Sequence, residues 1–336
     1  MRTQPATLRD ALGDEARLNT DAFRQEEAQQ AVEVHHAEAD APIVEPDCEI
    51  GTPIPVSATE TSGFEIFVDG IEVSSVAAWF SGLPLRVGHL AAAAVGRNER
   101  EMDDFATERL ETVILVPDAM PAEKQQEIKK LEGVEGRKVL IVESRTDGEA
   151  LPKDWHLVLR EAVSKRREEL ERDVIVEVAA ARADAWIAVD GGIARYRSDL
   201  KNASRTVGLV KSHRHYYFTP ETVAESVFPL PEGHRTPVFE AAPSPDKQAT
   251  YSWYLRLRAS ADGPPWFGLV RVEMCDAQAA VSNADDVSAW LLAERAPVSL
   301  PDARYDRLIY PIRFIEQYLR SCQPSAWQLR ALVGCR

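Results

Sequence analysis

Long apolar runs are missing from this 336-residue chain, and with them any candidate for a membrane-spanning helix. A bilayer span needs roughly 20 consecutive apolar residues, whereas the best stretch, around Leu90 to Val95, is short and alanine-rich. The N-terminus also lacks the apolar core of a signal peptide, so a cytoplasmic protein with no membrane partner is expected. Cysteine is scarce. Cys48, Cys275, Cys322 and Cys335 are scattered with no CxxC pair, which excludes a zinc knuckle or a disulfide framework and suits a reducing compartment. Several catalytic signatures are absent as well: there is no GxxxxGK[ST] phosphate loop, no GxGxxG, no GxSxG elbow and no HExxH helix. No internal repeat is visible.

What is present is a chain long enough to bury a sizeable core, with an ordinary 45% of hydrophobic residues. Its net charge of −15 argues against a protein that coats nucleic acid non-specifically. The charge is uneven. In residues 1–50 twelve acids face only Arg2, Arg9, Arg17 and Arg24. The stretch from Arg195 to His215 reverses this, with Arg195, Arg197, Lys201, Arg205, Lys211 and Arg214 against the single acid Asp199. A basic run is ordinarily a solvated face. Beginning just after Asp190, this one is read as a phosphate contact through Arg195, Arg197, Lys201, Arg205 and Lys211.

Two Asp-Gly pairs close short apolar runs: Phe64-Glu65-Ile66-Phe67-Val68-Asp69-Gly70 and Ala185-Trp186-Ile187-Ala188-Val189-Asp190-Gly191. Asp-Gly is a common turn dipeptide. Each run nonetheless has the aromatic and β-branched content of a buried strand. A carboxylate at the end of such a strand is rigidly held and can face a cleft, where hard divalent cations such as Mg²⁺ or Mn²⁺ would suit it.

Residues 1–62 are acidic and read as an extended or partly disordered arm, with a helix over Thr20–Val34; residues 63–336 read as one domain. Strands are expected at Phe64–Asp69, Glu72–Phe80, Leu85–Val95, Leu110–Val116 and Val139–Glu143, with a helix at Ala122–Leu131. A long helix over Asp154–Ala181 carries Leu157, Val158, Val163, Leu170, Val174, Ile175 and Val178 at three- and four-residue intervals. Strands follow at Ala185–Val189, Val207–Lys211, His215–Phe218, Tyr251–Arg258 and Trp266–Glu273, then helices at Asp285–Glu294 and Tyr310–Cys322. The fold class is α/β: a ribonuclease H-like mixed sheet flanked by helices, with additional C-terminal strands and helices.

Two-metal phosphodiester hydrolysis needs carboxylates that hold cations roughly 3.5–4 Å apart. Asp69 and Asp190 are the strand candidates. Glu171 shares the buried stripe of Val174, Ile175 and Val178, and is the candidate from the helix. Glu168 extends the stripe, and Asp173 or Glu177 would serve if the helix phase shifted by one residue. A helical glutamate is otherwise a solvated charge paired with an arginine. Lys211 and His213 follow a strand, as a phosphate contact and a proton-transfer aid, or else as a surface lysine and a turn cap.

These pieces, in order, resemble bacterial members of the NurA nuclease family. The matching stretches are Phe67-Val68-Asp69-Gly70, the Arg167…Glu171 helix and Val189-Asp190-Gly191. After them come Val207-Gly208-Leu209-Val210-Lys211-Ser212-His213, the strand pair Trp253–Arg258 and Trp266–Glu273, and Ile309-Tyr310-Pro311-Ile312. The resemblance implies a ribonuclease H-like core, Mn²⁺ or Mg²⁺ dependence, action on DNA ends, and a homodimer docked on a HerA-like hexameric DNA-translocating ATPase. It implies metal ligation by Asp69, Glu171 and Asp190, and puts Tyr310 near the active site. Two positions depart from the family pattern. Ile71 stands where a Ser or Thr is usual, and Glu316 or Gln317 stands where archaeal relatives have a histidine. The expected function is thus DNA cleavage in end processing, repair or anti-phage defence; the alternative is an inactive subunit that docks on and regulates a ring-shaped translocase.

Overall fold

The computed structural model describes residues 7–19, 34–99, 101–143, 154–200, 203–242, 249–259, 263–297 and 304–334. The expected Thr20–Val34 helix and Lys201 fall on or largely within the remainder, outside the described residues. The architecture is α/β, a large mixed sheet flanked by helices.

Three long strands form its centre: β1 (Phe64–Phe80), β2 (Leu83–Asn98) and β3 (Glu101–Pro117). Two strands expected from the sequence are one, because the chain runs straight through Asp69-Gly70. Gly70 stays extended and pairs with Ala92. The actual turn is Ser81-Gly82, where both residues have positive φ (50° and 83°), the backbone a tight two-residue hairpin demands. After a short helix, α1 (Ala122–Lys129), strand β4 (Arg137–Val142) pairs parallel to β3.

The long helix α2 (Trp155–Ala181) begins where the Asp154 side chain accepts the amides of His156 and Leu157, satisfying donors that have no partner in the first turn. Its buried stripe starts with Trp155 and Leu159 rather than Leu157 and Val158, and then runs through Val163, Leu170, Glu171, Val174, Ile175 and Val178. Strands β5 (Trp186–Asp190) and β6 (Thr206–Val210) follow, β5 parallel to both β1 and β6. The antiparallel pair β7 (Thr250–Arg256) and β8 (Leu269–Met274) extends the sheet beyond β6. Helix α3 (Ala277–Ala293) begins well before the expected Asp285, at the Asp276 cap. Helix α4 (Tyr310–Cys322) has the expected bounds.

Both faces of the sheet are covered. Ile66, Val68, Ile187 and Val189 pack in one core with α2; Phe67, Ile71 and Ala188 pack in another with α3 and α4. Ala91 to Ala94 are fully buried between them. A single methyl group per residue lets helices approach closely on both sides.

The described parts of residues 1–62 lie on this body. Leu8, Ala11 and Leu12 are buried against Ala77, Phe80 and Leu85, and Ala16–Leu18 pairs with β1. His35–His36 runs parallel to His215–Tyr216, and Ile54–Pro55 pairs with His234–Arg235. No helix among the described residues is long and apolar enough to cross a membrane.

Candidate functional site

Strand register brings the two Asp-Gly pairs together. Val68 is opposite Val189 on the parallel strands β1 and β5, so Asp69 and Asp190 occupy the next step on each. At that step β5 stops. Gly191, at φ 94°, turns the chain away while its amide donates to the Leu209 carbonyl. The gap left beyond the end of β5 opens into a cleft of about 1390 Å³, whose lining includes Asp69, Glu72, Glu171, Asp190, Lys211 and Glu273.

Glu171 reaches this gap because Gly70 has no side chain. A Cβ on Gly70 would stand 2.7 Å from Glu171 Cγ, far inside contact distance. Alternation along the strands adds a further detail. Asp69 and Asp190 have the parity of Phe67, Ile71 and Ala188, on the face covered by α3 and α4, whereas Glu171 approaches from α2 on the other face. They meet only because the cleft wraps round the strand end.

The carboxylates feel one another. Burial pushes the pKa of Asp69 well above the usual carboxylate range, and the nearby Asp190 and Glu171 push it further against the opposing pull of Lys211. Asp69 Oδ1 accepts the Gly70 amide at 2.8 Å. Burial likewise raises Glu171 to about 7, with Arg167 pulling it down and Asp190 and Glu72 pushing it up. Cations hold two of the three acids: Arg167 is ion-paired with Glu171, and Lys211 Nζ lies 2.5 Å from Asp190 Oδ1. Among the described residues, no three His, Cys, Asp or Glu side chains are arranged to hold a metal ion.

The other helical candidates are placed elsewhere. Asp173 is exposed, and Glu177 pairs with Arg109; neither lines the cleft. Glu168 does, where it pairs with Arg195.

Among the basic residues, Arg195, Arg197 and Lys211 line the cleft, and Arg197 also lies over the Tyr251 ring. Arg205 does not. It precedes β6, at the opposite end of that strand from Lys211, donating to the Asp184 carbonyl; six steps of extended chain separate them by roughly 20 Å. His213 is also turned away. Its ring stacks on Tyr216, its Nε2 donates to the Leu269 carbonyl at 2.9 Å, and burial lowers its pKa to about 4. It is half-buried and does not line the cleft. Tyr310 is half-exposed at the start of α4 and outside the cleft, while Ile312 and Glu316 of the same helix line it.

Sequence reasoning missed Glu273 and Arg271. Both are buried in β8 and paired with each other at 2.5 Å, and Glu273 Oε2 accepts the Ile193 amide at 2.9 Å. They therefore brace the turn that follows Asp190. Two opposite charges inside an otherwise apolar strand were the available signal. Reasoning from sequence also missed the cleft-lining arginines Arg304, Arg307 and Arg320.

No protein-family model matches this sequence, and no curated protein matches it significantly.

Proposed function

We propose that the protein is a metal-dependent nuclease that hydrolyses phosphodiester bonds of DNA in end processing, repair or anti-phage defence, together with a HerA-like hexameric ATPase. The observation that carries this reading is the gathering of Asp69, Glu171 and Asp190, from three separate elements, in one cleft beyond the end of β5. The strand order β3-β2-β1-β5-β6, with β1 antiparallel to β2 and parallel to β5, supports the finer inference of a ribonuclease H-like core.

The reading implies Mn²⁺ or Mg²⁺, and the residues suit such a cation by donor chemistry. Carboxylate oxygens are hard ligands; burial first, and neighbouring carboxylates second, raise the pKa values of Asp69 and Glu171, and a bound cation would favour their charged forms. Asp69, Glu171 and Asp190 would hold it. When bound, it would supply an activated water and charge stabilisation at the phosphoryl group. Arg195, Arg197 and Lys211 are suited to hold DNA phosphates in the cleft. The chain's overall acidity fits a division of labour in which the ATPase feeds DNA to the cleft, and the exposed Tyr310 and Phe314 of α4 offer apolar surface for a homodimer.

A second reading, an inactive subunit that docks on and regulates a translocase, is favoured by the ion pairs Lys211–Asp190 and Arg167–Glu171, which give two of the acids a structural partner. Incubating linear DNA with the protein and Mn²⁺, with and without the ATPase and with a chelator arm, separates the two. Chelator-sensitive cleavage is expected. Intact DNA in every arm, with a folded protein, leaves only the docking subunit.

A further inference from the structure

The three candidate metal ligands share a cleft, yet they are not arranged to hold a metal ion. The reason lies in what each acid touches. Lys211 Nζ sits 2.5 Å from Asp190 Oδ1, and its charge also acts on Asp69. Lys211 has the strand parity of Leu209, which packs in the same core as Phe67 and Ala188. That puts its ammonium on the face that Asp69 and Asp190 share, where it supplies the positive charge those two acids need.

The surroundings hold the Lys211 backbone, while its side chain borders the open cleft. Arg307 donates to the Lys211 carbonyl at 3.0 Å, fixing the main chain just beyond β6. The side chain is about one-fifth exposed and lines the cleft. A lysine is a single point charge on a flexible four-carbon stem, so it can leave one anion for another without breaking a two-pronged bond. Arg167 is built differently: it contacts Glu72 at 3.2 Å as well as Glu171, and is the more firmly anchored cation.

We propose that Lys211 is an exchangeable counter-ion of the carboxylate site: it competes with a divalent cation for Asp69 and Asp190, and its displaced ammonium turns to a DNA phosphate. This rests on the metal-dependent reading above and deepens it. Metal entry and DNA contact become linked, because the same ammonium cannot serve both anions. DNA in the cleft draws Lys211 away and favours the metal; without DNA the lysine competes with the metal and weakens its binding.

The test is a calorimetric titration of Mn²⁺ into the full chain without DNA, at pH 8, comparing wild type with Lys211→Met, Lys211→Arg and Asp190→Asn. Lys211→Met keeps the length of the stem and removes its charge, so Mn²⁺ affinity is expected to rise roughly tenfold, the scale of one partly screened charge pair. Lys211→Arg keeps the charge and is expected to bind no tighter than wild type. Asp190→Asn is expected to lose binding. Thermal melts of each variant verify that it is folded. If Asp190→Asn weakens Mn²⁺ binding but Lys211→Met fails to strengthen it, the counter-ion role is overturned while the metal reading stands. If neither wild type nor Lys211→Met binds Mn²⁺, or Asp190→Asn binds as well as wild type, the metal reading falls and this proposal with it.

Discussion

Two clusters of buried charge in this molecule have opposite electrostatic character. In the first, Arg235 is buried and donates to both oxygens of Glu45 at 2.8 Å and to Asp285 at 2.6 Å. Burial alone would raise the pKa of Glu45, but the Arg235 hydrogen bond, the Val238 amide and the Arg235 charge outweigh it, and the net shift is downward. In the second, around Asp69 and Glu171, burial and neighbouring carboxylates prevail, and both acids shift upward. The first cluster is a satisfied clasp between the N-terminal segment and the sheet. The second is a site where burial disfavours the charged carboxylates by more than Lys211 and Arg167 offset, and such tension concentrates where chemistry or ligand binding occurs. Glu111, held by Arg166 and Lys138 and shifted downward, belongs with the clasp.

The largest expected effect is on the strained side. Asp190→Ala should cut Mn²⁺-dependent DNA cleavage by roughly a thousandfold or more while circular dichroism stays native, on the scale seen when transition-state charge loses its stabiliser. Unchanged cleavage would dissolve the contrast between the clusters. Breaking the clasp should act on stability instead. Arg235→Ala leaves the half-buried Glu45 carboxylate with the Val238 amide but without its guanidinium partner, a loss of about 3 kcal/mol in urea unfolding, with no change in Mn²⁺ affinity of whatever remains folded.

The two regions should also respond to pH with opposite sign. Glu171 has a folded pKa of about 7 against an ordinary 4.5. Its contribution to stability is therefore complete below pH 4.5 and is lost as pH rises through 7, a change on the order of 3 kcal/mol. Glu171→Gln should remove that dependence, which urea titrations between pH 5 and 8 would detect. Glu45, with its lowered pKa, contributes above its ordinary value and loses that contribution as acid protonates the folded carboxylate. Asp69 is shifted in the same direction, so a Glu171→Gln curve that falls as steeply as that of the wild type would refute the assignment of strain to Glu171. The smallest effect comes from Gly70→Ala. The added Cβ collides with Glu171, and overpacking of this kind costs about 1–3 kcal/mol; the same change in Gly82 would leave the cleft untouched.

Much of the frame was legible in the sequence. Helices expected over 122–131, 154–181 and 310–322 are present as Ala122–Lys129, Trp155–Ala181 and Tyr310–Cys322, and Glu171 follows from the buried stripe it shares with Val174 and Val178. Other features were not. The Asp69-Gly70 pair has turn composition but no turn, because Ala92 pairs with Gly70 across the sheet and holds it extended. His213 has the look of a catalytic residue, yet its ring is held by the Leu269 carbonyl and lies against Tyr254, both far away in the chain. Alanine-rich 277–284 hides the start of α3, since small residues carry little periodic signal.

Composition and periodicity determined that this chain makes a sheet flanked by helices, because those signals are local and each residue's neighbours in the chain suffice to express them. Only the tertiary structure decided which acids share a cleft, on which face of the sheet each one sits, and that Lys211 and Arg167 stand against them. Those relations depend on strand register and helix packing, which bring together groups that covalent order leaves apart.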